Sequence, residues 1–167
     1  MLDLKTPFYT TAYSKPIVGV PNLPSSVVEE HLSTSQTVPT EADPPTRLEL
    51  AFSIVQNGRF LDYLGRDNPD LFPMERIENL SLASGRLELP PLFIFHGEQD
   101  SAVPAEGSRK FVSLLRERFP NARVRLHIQD GDHGFDADAT LETPWLKEGL
   151  SFISSNWGTS TPGLSHL

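Results

Sequence analysis

The chain has 167 residues, 14 basic and 22 acidic side chains for a formal net charge of −8, and no cysteine. Disulfide scaffolds and thiolate metal sites are therefore excluded, and an acidic chain without a Lys/Arg cluster lacks the electrostatic footprint for nucleic acid or an anionic membrane surface. At 38% hydrophobic and 22% charged it has the composition of one ordinary folded domain, which leaves small organic substrates or other proteins as partners.

Met1-Leu2-Asp3-Leu4 reads as the end of a strand. No basic region followed by an apolar stretch opens the chain, and no apolar run approaches the ~18 residues of a membrane helix, so the expected address is the cytoplasm. Residues 5–45 carry Pro7, Pro16, Pro21, Pro24, Pro39, Pro44 and Pro45, too many for regular strands. One short helix is expected there, opened by Ser26 with Glu29 as a capping box. A second helical stretch spans 46–64, opened by Thr46 and Glu49, with Leu48, Ala51, Phe52 and Val55 on one face. Asn57-Gly58 is expected to interrupt it before Phe60, Leu61 and Leu64, and Phe52 and Phe60 are candidates for pocket lining. Pro73 suits the first position of a helix over Met74–Leu80, and a polar stretch around Ser84-Gly85-Arg86 ends this half.

From residue 90 the pattern alternates strand and helix. Leu92-Phe93-Ile94-Phe95 is a continuous apolar run of the kind a strand buried on both faces requires. A turn-rich segment, Gly97 to Pro104, leads into a helix to Phe119 with Phe111, Leu114, Leu115 and Phe119 on one side. Val124 to Gln129 alternates Val124, Leu126 and Ile128 with Arg125, His127 and Gln129, a strand with one wetter face on which His127 looks to solvent. Thr143 caps a last helix that starts at Pro144, with Leu146, Leu150, Ile153 and Trp157 as its stripe, and residues 158–167 read as a tail. Strand, helix, strand, helix implies a parallel α/β sheet, because a parallel pair needs a crossover.

In such a sheet functional groups gather beyond the carboxyl ends of the strands. The first strand is followed by His96-Gly97-Glu98-Gln99-Asp100 and the second by Gln129-Asp130-Gly131-Asp132-His133-Gly134-Phe135. Adjacent parallel strands would bring Asp100 and His133 together, where the carboxylate orients the imidazole, fixes its tautomer and stabilises the imidazolium. The order, acid before histidine with one helix between, matches the end of a Ser, Asp, His series. His96 reads as structural, ending a buried strand and satisfying turn backbone groups; His31 and His166 carry no argument. Asp130, Asp132, Asp136 and Asp138 invite a calcium reading, but against the EF-hand loop Phe135 stands where glycine is needed and Leu141 where a bidentate glutamate belongs, so no metal is expected.

On these residues the chain resembles the α/β-hydrolase superfamily, in its esterase/lipase branch related to hormone-sensitive lipase, and most closely the fungal members. Leu92 to Pro104 resembles the acid-bearing strand and loop, and Gly131-Asp132-His133-Gly134-Phe135 the catalytic histidine loop. The resemblance implies Asp100 as triad acid and His133 as general base, with no metal and no organic cofactor. It further implies a C-terminal part of the fold of about three parallel strands: a terminal strand at 1–4, a lid at 5–89, an α/β core at 90–157 and a flexible tail at 158–167. The family's Gly-x-Ser-x-Gly nucleophile elbow and glycine-rich oxyanion motif occur nowhere in the chain. Ser84 lacks the preceding glycine, Ser53 lies mid-helix, and Ser25 and Ser26 belong to a helix start.

Two expectations follow. One is the acid and base half of a serine esterase whose nucleophile comes from elsewhere, from missing sequence or a companion chain, acting on lipid or secondary-metabolite esters. The other is a noncatalytic remnant that binds a hydrolase partner or an acyl ligand. In either case an open strand edge at Met1–Leu4 predicts self-association or pairing with another chain.

Overall fold

The computed structural model describes residues 3, 6–34, 47–65, 71–80 and 89–157. Of the expected first strand only Asp3 lies among them, and Thr46, the Ser84-Gly85-Arg86 stretch and the tail lie outside. The elements are α1 (Pro7–Thr10), α2 (Ser26–Thr34), α3 (Leu48–Gln56), α4 (Phe60–Leu64), α5 (Pro73–Asn79), β1 (Leu92–Gly97), α6 (Ala105–Arg118), β2 (Val124–Gln129) and α7 (Pro144–Asn156). The described residues fall into two compact units, one drawn from residues 77–100 and everything from 105 on, the other from 2–76 and 101–104.

The second of these units is organised by its prolines. A proline-rich segment has carbonyls to satisfy but few N–H groups with which to form a ladder. Side chains of α3 and of Asn57 at its C-terminal end supply the missing donors. Gln56, fully buried, donates from Nε2 to the carbonyls of Lys15 at 3.2 Å and Pro21 at 3.3 Å, while its Oε1 accepts from Leu23 N–H at 2.9 Å. Asn57 donates to Leu23 O at 3.1 Å and Ser53 Oγ to Pro24 O at 2.9 Å. The buried side of α3 is thus polar, Ser53 and Gln56, whereas Leu48 of the expected apolar stripe is 49% exposed. The helix turns toward the groups that need hydrogen bonds, and Tyr9, Ile17, Val28, Leu61 and Phe72 provide the apolar core. Phe60 packs its ring on Tyr9 at 5.4 Å.

As expected, the helical stretch breaks after Gln56. Gly58 takes φ +67°, and a Cβ there would stand 2.5 Å from the backbone nitrogen of Thr11, so both conformation and close approach require glycine. Ile17 and Val20 close a tight turn by exchanging hydrogen bonds at 3.1 and 2.8 Å. Val18 inside it has φ +49°, a strained state for a β-branched residue, and its N–H donates to Ser101 Oγ at 2.8 Å.

In the other unit β1 and β2 pair in parallel with Leu92 opposite Val124 and Gly97 opposite Gln129, and α6 is the crossover. Side chains alternate across the sheet. On one face Phe93 and Phe95 meet Trp145 of α7, with ring centroids 6.5 and 5.0 Å apart, and His127 stacks on the same indole at 5.4 Å and 12°. On the other face α6 packs on the strands and buries Phe111, Val112 and Leu115. Two expectations are corrected here. The face of β2 expected to be wet is covered by Trp145, so His127 lies under an indole. β1, expected to be buried on both faces, leaves Phe95 37% exposed, because the sheet has two strands among the described residues and α7 covers it only in part.

Candidate functional site

The register of the sheet builds the site. With Gly97 opposite Gln129, both loops leave the strand ends at the same level. Backbone bonds then stitch them together: Glu98 N–H donates to Gln129 O at 2.7 Å and Gln99 N–H to Gly131 O at 3.0 Å, while Gly131 N–H donates to the Gln99 side-chain oxygen at 2.7 Å. The approach is close enough that a Cβ on Gly97 would stand 2.5 Å from the Gly131 carbonyl oxygen. Gly131 itself has φ +143°, and a Cβ on it would meet Cβ of Phe135 at 2.6 Å, so a side chain at either glycine would push the loops apart.

This clamp brings Asp100 and His133 together. His133 Nδ1 lies 3.1 Å from Oδ2 and 3.2 Å from Oδ1 of Asp100. The Asp100 side chain is 8% exposed and that of His133 is 51% exposed, so a shielded carboxylate holds a ring that still reaches solvent. A carboxylate can only accept, hence Nδ1 carries the proton and Nε2 is left with its lone pair. Nε2 has no hydrogen-bond partner among the described residues. Such a ring can take a proton from a hydroxyl brought to Nε2 and pass it on. The His133 N–H is held by Asp132 Oδ1 at 2.7 Å, and Phe135 fixes the far side of the loop by packing edge-on to Phe95 at 6.2 Å and against Trp145 at 5.7 Å.

His96 is buried at the end of β1, as a structural histidine should be; its Nε2 lies 3.3 Å from Asp100 Oδ2, and its Nδ1 lies 2.8 Å from Ser108 Oγ on α6. Gln99 and Ser108 join the site as residues that the sequence did not single out. Ser53 is fully buried with its hydroxyl committed to Pro24, and Ser84 lies outside the described residues. No cluster of three or more His, Asp or Glu side chains able to hold a metal occurs among the described residues, the Asp130 to Asp138 run included. No helix among them is long and apolar enough to cross a membrane.

No protein-family model matches the chain, and no solved structure does. Among curated proteins it is similar to "Probable carboxylesterase M8" of Phoma sp., 30% identical over 138 residues, which cover 82% of this chain and 42% of that one. It is also similar to "Esterase LipQ" of Mycobacterium tuberculosis, 32% identical over 89 residues covering 51% of this chain and 19% of the relative. The chain belongs to the α/β-hydrolase esterases. It represents the C-terminal part of that family's fold and matches less than half the length of either relative. It carries a small parallel sheet flanked by helices, with the Asp100 and His133 loops at the carboxyl ends of its strands.

Proposed function

We propose that Asp100 and His133 are the acid and general base of a Ser-Asp-His ester hydrolase, and that the attacking serine and the oxyanion donors come from outside these 167 residues. The observation that carries this reading is the contact of His133 Nδ1 with both oxygens of a shielded Asp100, with Nε2 left open. In the reaction Nε2 removes the proton of the serine hydroxyl as its oxygen attacks the acyl carbon. Asp100 holds the resulting imidazolium, which then protonates the departing alcohol; water repeats the sequence to release the acid. Asp and His alone cannot carry this cycle, because nothing in them forms the acyl bond or stabilises the oxyanion. Residues 5–89 serve as the lid in this reading, and the substrates are lipid or secondary-metabolite esters. The similarity to a protein of Phoma sp. named as a probable carboxylesterase supports carboxylic esters in general.

The test uses p-nitrophenyl acetate and butyrate together with a serine-directed fluorophosphonate. The 167-residue chain alone is expected to show neither turnover nor label. Joined behind the remaining sequence of the Phoma relative, it is expected to hydrolyse the esters and be labelled, with His133→Ala lowering kcat by about three orders of magnitude or more. Turnover by the chain alone, lost in His133→Ala, would place a nucleophile within it and overturn the split-site reading. An inert but folded and ligand-binding joined protein would favour the noncatalytic reading.

A further inference from the structure

The ring of His96 is a buried titratable group of the site for which the proposed reaction has no use. It is 9% exposed, at the end of β1, on the sheet face opposite the aromatic cluster and facing α6. Ser108, its partner there, is 4% exposed. Four side chains therefore run in series: Ser108 Oγ to His96 Nδ1 at 2.8 Å, His96 Nε2 to Asp100 Oδ2 at 3.3 Å, and Asp100 to His133 Nδ1 at 3.1 Å. Oδ2 sits between two imidazoles.

We propose that His96 is a positioning residue for the Asp100–His133 pair, held by Ser108 as the neutral Nε2–H tautomer so that it donates to Asp100 Oδ2. The donor and acceptor inventory dictates the direction of each bond. An ionised carboxylate only accepts, so His96 must present N–H at Nε2; a neutral ring then offers a lone pair at Nδ1, and the Ser108 hydroxyl is the donor that meets it. With Oδ2 held from behind, rotation of the carboxylate about its own bond is resisted, and both oxygens stay in front of His133 Nδ1. His133 in turn keeps its proton on Nδ1 and its lone pair on Nε2, the state a general base needs. A carboxylate shielded from water also has to be met by fixed donors, and the Nε2–H of His96 is one of them. His96 touches neither the proposed base nitrogen nor the substrate; it acts through Asp100. The inference rests on the pairing proposed above for Asp100 and His133.

The experiment reads the imidazole 15N resonances of the full 167-residue chain, at a pH where the rings are neutral. Two replacements separate positioning from space filling. The amide nitrogen of glutamine reaches about where imidazole Nε2 lies, so His96→Gln keeps a donor to Asp100; asparagine reaches only about as far as Nδ1, so His96→Asn keeps the Ser108 side and loses the Asp100 side. In the unaltered chain His96 is expected as a single Nε2–H tautomer and His133 as a single Nδ1–H tautomer. His96→Gln should leave His133 as it was, and His96→Asn should move both His133 nitrogens toward tautomer-averaged values. A His133 that stays Nδ1–H in His96→Asn overturns the positioning role alone. A His133 already averaged in the unaltered chain overturns the Asp100 pairing, and with it the proposed function. Should His96→Asn fail to fold, the unaltered chain still decides, because a His96 protonated at Nδ1, on both nitrogens or on an exchanging mixture contradicts the proposal.

Discussion

Lys15 shows how far a single residue can depart from what its type suggests. It is 5% exposed, and its ammonium donates to the carbonyls of Phe8 at 2.5 Å and Thr11 at 2.8 Å while lying 4.1 Å from the centre of the Tyr13 ring. Burial penalises its charged form and lowers its pKa from 10.5 to about 8. The unfolded chain keeps this proton to about pH 10.5, whereas the folded chain begins to release it near 8, so between the two the unfolded state binds more protons. Stability contributed by this site must then rise with pH across that window, the cost of a buried charge being present in full below it. In urea titrations the midpoint of the unaltered chain is expected to climb from pH 8 to pH 10.5 relative to that of Lys15→Met, every other titrating group being common to both. Parallel midpoints would mean that the amine is solvated despite its contacts. At this scale the sequence was legible where loop position carried meaning. Asp100 and His133 each follow a strand, and their types name a pairing. For His96 the buried strand end was legible, but its contacts with Asp100 and Ser108 were not, because Ser108 lies on another element and the sequence does not say which ring nitrogen faces which neighbour. Nothing in a local pattern distinguishes a histidine that caps a turn from one that buttresses a carboxylate.

Elements were read best where hydrophobic periodicity and a breaker agreed. β2 occupies Val124–Gln129 as expected, and α3 ends where Asn57-Gly58 predicted a break. α7 was placed correctly but rotated. Its expected stripe was Leu146, Leu150, Ile153 and Trp157, yet Leu150 is 39% and Trp157 66% exposed, and the helix buries Gly149 against β1 with Trp145 and Phe152 on the same side. The reason is steric. Phe93 fills the space between strand and helix so tightly that a Cβ on Gly149 would stand 1.9 Å from the edge of its ring, and only glycine lets the helix axis come this near. A hydrophobicity pattern counts glycine as silent, so the true contact face went unseen. Alanine at this position gains about 1 kcal/mol of helix propensity. Against that, Phe93 is braced by Phe95 at 5.8 Å and by Trp145 at 6.5 Å, so the ring cannot swing aside without disturbing the cluster that also holds Phe135 and the His133 loop. Overpacking of this kind costs about 1–3 kcal/mol, so Gly149→Ala is expected to lower the denaturation midpoint, with altered near-ultraviolet dichroism from Trp145. A variant as stable as the parent, with an unchanged tryptophan signal, would mean that α7 rides over the sheet loosely.

For the whole molecule, the decisive quantity is what meets the outer side of β1. Leu92 and Glu98 donate to carbonyls at the two ends of β2, so the N–H groups at even positions point toward β2 and those of Phe93 and Phe95 point away from it. Among the described residues no strand pairs with that outer side. A row of N–H and C=O groups beside a 37% exposed Phe95 is the kind of edge that recruits another strand, from a second copy or from a companion chain. The sequence pointed to such an edge through the terminal strand at 1–4, which apart from Asp3 lies outside the described residues; among the described residues an edge of the same kind is that of β1. Self-association is therefore expected, visible by sedimentation as a mass that rises with concentration. Amide exchange identifies the surface responsible. Phe93 and Phe95 should exchange quickly in dilute solution and become protected as the species grows, while Ile94 and His96, bonded to β2, stay protected throughout. A monomer with Phe93 and Phe95 exposed at every concentration would show that the edge is defended by other means, the twist of the sheet being the simplest. A monomer with both protected would show that part of the same chain covers the edge, and the association expected here would not occur.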